Sequence, residues 1–353
     1  MRKLKSLSIS KSIAIVMFIV LFIIPQVSSL YSTQMFGKII TFMIFALALD
    51  ILWGSTGLMN LGFAVFFGIG GYLFGISMAS QTELPGFMAS AGLEELPWFY
   101  RPLQSPVVAV ILGIVIPALV ALLLGYFIFT SNIKGVFYNL ITLTFAGIFE
   151  LFIKNQQAYT GGSSGVNGIG RGLNTLSFFG NSMTIVHWYY VAFVCLILAY
   201  IFCVWLTESR FGKIINSIRD NEERVQFLGY NPASFKLVIF AIAGAIAGFA
   251  GVLYIPITSF ISIETAGLTF SSMALVWISV GGRGNLTGAM FGALTISILQ
   301  NFLSGMFSGM WQLVLGVILL IVVMFIPRGL IGTLIHWSQE RKNKAALQGQ
   351  TTK

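Results

Sequence analysis

Few residues in this 353-residue chain could do chemistry, and they are scattered. Asp50 is a lone carboxylate in an apolar run. Just beyond it the string WGSTGLMNLGFAVFFGIGGY, Trp53 to Tyr72, sets Ser55, Thr56 and Asn60 among six glycines. A carboxylate in a low-dielectric run marks either a functional position or a snorkelling or capping group at a helix end, and both readings stand for Asp50. No G-x-S-x-G elbow or H-E-x-x-H pattern occurs, and a P-loop is missing: Lys38 and Lys213 each follow a glycine, but Ile follows each of them. Cys195 and Cys203 lie eight residues apart, about 12 Å along a helix, too far to bridge, and with His187 and His336 on other segments they form no metal-ligand cluster. An intramembrane enzyme would need a polar partner for Asp50, and none is evident. The chemistry on offer is passage and docking, with neither metal nor cofactor implied.

The elements that must position these residues are membrane spans. At 57% hydrophobic and 9% charged, with a mean hydropathy of +0.90, the chain falls among multi-span proteins. Its net charge of +9 does not point to nucleic acid, because the basic residues sit at the ends of apolar runs. Apolar segments run over residues 12–30, Phe36 to Trp53, Leu58 to Ala79, Ser105 to Phe129, Gly135 to Ile153 and Val186 to Leu206. Four more follow at Leu237 to Ile257, Thr265 to Val280, Leu286 to Ser304 and Met310 to Ile326. The first is either a retained helix or a signal-like segment. Ten spans starting inside leave only Arg101, Lys154, Arg171 and Lys38 on the outer side and put the other sixteen of 20 basic residues inside. The expected fold is therefore an all-α integral membrane domain over 1–353 with both termini cytoplasmic, an outer loop at 154–185 and a tail at 327–353.

Nine charges crowd between Glu208 and Lys236, so the loop 207–236 lies in water as a docking segment or a solvated turn. The Trp53 to Tyr72 stretch is the least helix-like membrane segment. Irregular backbone at membrane depth survives only where protein or a water-filled path covers it, which leaves a solute route and a tight, glycine-packed turn as alternatives. Glu150 and Glu264 fall near outer helix ends and read as interfacial. Gly71 and Gly75, Gly244 and Gly248, and Gly288 and Gly292 predict close helix approach. With spans almost free of charge, a path would suit a neutral or zwitterionic solute.

Four stretches, in order, resemble the membrane subunits of ABC importers for branched-chain amino acids and urea. They are the Trp53 to Tyr72 string, the outer run TGGSSGVNGIG (Thr160 to Gly170), the loop and helix from IRDNEERVQFLGYNPASFK onward, and VGGRGNLTGAMFGAL (Val280 to Leu294). The resemblance implies a permease that does no covalent chemistry. It also implies a sister membrane subunit, two cytoplasmic ATPases and an extracytoplasmic solute-binding protein. By this resemblance Trp53, Thr56, Asn60 and Phe63 would line the route, and Arg219, Asp220, Glu222, Glu223 and Arg224 would contact an ATPase. ELPWFYRP and GGSSGVNG look most like the urea-type subunit, but Phe63 stands where that type has His, and Asn60 where Ser is usual. Urea transport is the expectation, with branched-chain amino acid import or a stand-alone carrier or channel as alternatives.

Overall fold

A computed structural model describes residues 2–306 apart from 132, 176, 179 and 180, with the side chains of 11–175 and 183–306, and a few isolated positions beyond 306. The helices are α1 (Arg2–Val27), α2 (Leu30–Thr56), α3 (Ala64–Ala79), α4 (Pro106–Thr130), α5 (Val136–Asn155) and α6 (Ile185–Glu208). Then come α7 (Arg210–Asp220), α8 (Glu222–Phe227), α9 (Pro232–Thr258), α10 (Leu268–Gly281) and α11 (Leu286–Met306). Short helical turns punctuate the loops, and a two-residue ladder pairs Ser177–Phe178 with Asn181–Ser182. Apart from that ladder the described regular structure is helical, and α2, α4, α5, α6, α9 and α11 are long and apolar enough to cross a membrane. Lys11–Val27, α3 and α10 are shorter apolar helices. The expected tenth span, Met310 to Ile326, and the tail 327–353 lie outside the continuously described residues.

α2 is the centre of the bundle: every residue from Ile39 to Leu52 is buried, whereas α4, α5 and α6 each keep an exposed apolar face of the kind lipid would cover. Against α2 and α3 packs α9, and glycines set the distance. Gly248 of α9 meets the Gly113 carbonyl of α4, Gly70 of α3 meets the Gly248 carbonyl, and a Cβ at either would collide with backbone. Likewise Gly292 of α11 lies on the Trp277 carbonyl of α10.

The expected span at Leu58 to Ala79 becomes helical only at Ala64, and that at Thr265 to Val280 only at Leu268. Both start among packed side chains, and remote groups satisfy their backbones. Leu61 N donates to Thr142 Oγ1 (3.2 Å), Gly62 N to Asn60 Oδ1 (2.8 Å) and Ala64 N to Ser271 Oγ (2.9 Å). Leu268 N donates to the Glu150 carboxylate (3.3 Å), so Glu150 caps α10 rather than merely marking an interface. The TGGSSGVNGIG run folds over α3 as a lid. Gly161, Gly162, Gly165 and Gly168 adopt left-handed φ values, and Val166 pairs with Ile261. The run holds a 3-10 turn at Gly162–Ser164, and a helix (Ile169–Leu173) begins at its end.

Candidate functional site

Two cavities open at opposite ends of α2. One, of about 260 Å³, is bordered by Lys38, Phe42, Tyr254, Glu264, Thr269 and Trp277, and Gln300 of α11 reaches it too. The other, about 280 Å³, is bordered by Lys11, Asp50, Gly54, Glu208, Arg219 and Thr287. α2 and α11 thus line both. Phe42 and Asp50 are eight residues apart, about 12 Å of helix, and stacked rings close that interval. Phe45 lies on Phe63 (5.3 Å) and on Phe270 (5.2 Å), and Phe42 lies on Trp277 (5.1 Å). The two ends are separated by an aromatic plug.

None of Trp53, Thr56, Asn60 and Phe63 borders either cavity. Trp53 is half-buried beneath the Arg283 guanidinium, 5.5 Å from its ring centroid. Thr56 Oγ1 donates to Leu52 O and accepts from Leu58 N, finishing α2 ahead of Gly57, whose φ is 79°. Asn60 is buried beside the Tyr138 hydroxyl, and among the described residues neither its Nδ2 nor that hydroxyl makes a hydrogen bond of good geometry. Phe63 belongs to the plug. Asp50 is only 2% exposed and accepts from Gly284 N at 2.8 Å, so of its two readings capping describes its contact, made to the turn after α10 rather than to its own helix.

The charged loop is a helical hairpin. Ser209 caps α7 by accepting from Gly212 N, Asn221 caps α8 by accepting from Arg224 N, and Asn231 with Pro232 starts α9. Gly212, Ile215 and Ile218 form the buried face of α7. Arg219 donates to Gly54 O at 2.5 Å, a carbonyl in the last turn of α2, and pairs with Asp220 at 3.5 Å. Glu222 pairs with buried Lys236 at 2.8 Å and with Lys134 at 3.2 Å. Burial by itself would raise the Glu222 carboxyl, but the two ammonium groups outweigh it and hold the carboxyl below its ordinary range. Asp220, Glu223 and Arg224 are exposed, as are Phe227 (90%) and Leu228 (75%). Thus Arg219 and Glu222 tie the hairpin to the bundle, while its free face carries charge and an apolar tip.

Sequence reasoning placed Lys38 and Glu264 only as helix-end charges and did not mark Trp277, Phe227 or Leu228. Lys38 and Glu264 are 226 positions apart (264 − 38), and only the packing of α9 and α10 against α2 brings them to one cavity. A signal existed for the tip: two large apolar residues in a charged loop.

The family model for the permease component of branched-chain amino acid transport systems matches residues 31–323, which takes in the hairpin and every cavity-lining residue named above except Lys11. The chain belongs to this permease family. Among similar proteins, the high-affinity branched-chain amino acid transport system permease protein LivM of Salmonella typhimurium is 25% identical over 310 residues, 82% of this chain and 67% of that one. A probable LivM of Methanocaldococcus jannaschii is 22% identical, with 81% and 84% covered. The ribose import permease protein RbsC of Haemophilus influenzae is 26% identical, with 73% and 77% covered. No solved structure matches. As a member of this permease family with six long apolar helices, the chain is a multi-pass protein of the plasma (inner) membrane.

Proposed function

We propose that this chain is the membrane-spanning subunit of an ATP-driven importer for a small solute without net charge. It acts with a sister membrane subunit, two cytoplasmic ATPases and an extracytoplasmic solute-binding protein. Ten spans with both termini cytoplasmic put the hairpin and the Asp50 cavity inside and the Lys38 cavity outside. The observation that carries the reading is the hairpin: its apolar tip is exposed, and Arg219 fastens it to the helix that lines both cavities.

In this reading an ATPase grips Phe227, Leu228, Glu223 and Arg224. Movement there reaches the last turn of α2 through Arg219 and the start of α9 through Glu222 and Lys236. Because α2 passes the plug, shifting its inner end relative to α10 can open one cavity and close the other, with Phe63 and Asn60 at the boundary. Urea is favoured by the likeness of ELPWFYRP and GGSSGVNG to the urea-type subunit, and a branched-chain amino acid by the names of the LivM relatives. The chain supplies binding and motion, and the ATPases supply the hydrolysis.

The test replaces Glu223, Arg224 and Phe227 together by Ala. Membrane insertion is expected to persist while the ATPases no longer co-purify and uptake falls at least about tenfold, the worth of roughly 1.4 kcal/mol. Unchanged uptake would overturn the docking assignment.

A further inference from the structure

A further cavity lies apart from the two at the ends of α2, on the rim of the bundle. α1 is held along one side by α6, where Tyr189 donates to the Leu21 carbonyl at 2.7 Å and the rings of Phe18 and Phe22 meet Phe193. Its other side faces α11 across an open groove of about 530 Å³. Val16, Val20 and Ile24 form one wall and Phe291, Leu294 and Ile298 the other. From Ser12 to Ile24 the groove follows α1 for twelve positions (24 − 12), about 18 Å of helix. Spread over that length, its volume gives a section of about 30 Å², less than half the ~80–110 Å² of a helix 10–12 Å across. Helix contacts in membranes also rely on small residues, as Gly70, Gly113 and Gly248 do in this bundle. The groove offers none of that kind: among the described residues bordering it, all but Ser12 are Ile, Val, Leu, Met or Phe. Its section and lining suit a hydrocarbon chain better than a second helix.

Charge marks one end of the groove. Counted back along α1 by helical spacing, positions 9, 5 and 2 continue the stripe of Ser12, Ile13 and Val16, and positions 5 and 2 are Lys5 and Arg2. Four basic residues stand ahead of the apolar stretch of α1, and the first acidic residue of the whole chain is Asp50. Lys11 of the four is tied to Glu208 at 3.3 Å.

We infer that the groove between α1 and α11 seats an acyl chain of an anionic phospholipid, whose phosphate meets the basic first turns of α1 at Arg2 and Lys5. Phosphate oxygens take charge-assisted hydrogen bonds from Arg and Lys, and basic residues at the end of a membrane helix attract anionic lipid. α11 borders both transport cavities, through Thr287 at one and Gln300 at the other, so the lipid rests against a helix of the transport path. The inference needs α1 to lie in the membrane and holds for an importer and a carrier alike.

The experiment places a photo-crosslinking amino acid at Val20 of the full chain, assembled with its partner subunits in vesicles of equal phosphatidylcholine and phosphatidylglycerol, and reads the adducts by mass. Phosphatidylglycerol is expected in roughly tenfold excess over phosphatidylcholine, in keeping with two basic residues near a lipid surface. Leu123, on the exposed apolar face of α4, serves as the control, where the two lipids should be captured equally. Arg2→Gln together with Lys5→Gln should abolish the excess at Val20 while lipid adducts persist. Arg2→Lys should keep it, which separates recognition of charge from loss of fold. Leu294→Trp, which fills the groove from α11, should lower both adducts at Val20. Equal capture of the two lipids at Val20, or the same excess at Leu123, would make the groove an ordinary lipid contact and overturn the site. An adduct with the sister subunit would overturn it as well and make the groove a protein interface. None of these outcomes depends on whether uptake needs ATP, so the site and the importer reading stand or fall separately.

Discussion

The Arg219 guanidinium donates to the Gly54 carbonyl at 2.5 Å, joining residues 165 positions apart and fixing the charged hairpin to the last turn of α2. That carbonyl has no intrahelical donor, because Leu58 N, its would-be partner, turns to Thr56 Oγ1 instead. Arg219→Ala is expected to leave the chain inserted and to lower uptake roughly tenfold, for about 1.5 kcal/mol of charge-assisted hydrogen bond. ATP hydrolysis should persist, so the readout is solute moved per ATP split. Arg219→Lys should recover only part, since an ammonium lacks the planar fork that reaches both Gly54 and Asp220.

Gly54 is the second contact in the same joint. A Cβ there would lie 2.7 Å from Gly284 Cα and 2.7 Å from Asp50 Oδ1, and neither neighbour is the free end of a flexible chain. Helix propensity alone would make Gly54→Ala stabilising by up to about 1 kcal/mol. Overpacking at about 1–3 kcal/mol outweighs it, so the melting temperature in detergent should fall. A rise would mean that the Gly282–Asn285 turn yields freely.

Acid should loosen the hairpin. Lys236 and Lys134 depress the Glu222 carboxyl, so its contribution is complete above the unfolded value of about 4.3 and is lost as pH falls through the lower folded value. Melting temperature attributable to this pair should hold from pH 7 to about 5 and drop below that. Glu222→Gln should remove the acid dependence and cost about 2 kcal/mol at pH 7, less than a fully buried pair because solvent still reaches Glu222. Equal acid sensitivity in both proteins would refute the assignment.

The plug makes a separate prediction. Phe63 is fully buried on Phe45 and Phe66, and Phe63→Ala should cost about 3–5 kcal/mol and open the barrier between the cavities. Loaded proteoliposomes should then release solute without ATP. Tight vesicles with a folded variant would show that the barrier lies elsewhere.

Helix placement was legible because apolar runs are local: nine of the ten expected segments correspond to described helices, and six of those are long and apolar enough to cross a membrane. The late starts of α3 and α10 were not, since the groups that satisfy them, Thr142, Ser271 and Glu150, come from other helices. The charged loop announced a water-exposed hairpin, but charge alone could not divide it into Arg219 and Glu222, turned to the bundle, and Glu223 and Arg224, turned away. Asp50 stood out as an intramembrane carboxylate, yet its partner Gly284 is 234 residues distant. Trp53, Thr56, Asn60 and Phe63 drew notice by breaking a helix pattern, and three of them answer to local backbone or packing needs in this conformation. Asn60, whose buried Nδ2 makes no hydrogen bond of good geometry among the described residues, keeps an unmet requirement.

On the proposed function, this permease moves solute only when partner ATPases drive it through the hairpin. The most direct test is solute uptake, L-leucine and urea measured in parallel, into proteoliposomes holding the chain alone or the chain with its sister, ATPase and solute-binding subunits, each with and without ATP. Uptake is expected only in the complete assembly with ATP. Saturable, ATP-independent uptake by the chain alone would contradict it and make the protein a carrier in its own right.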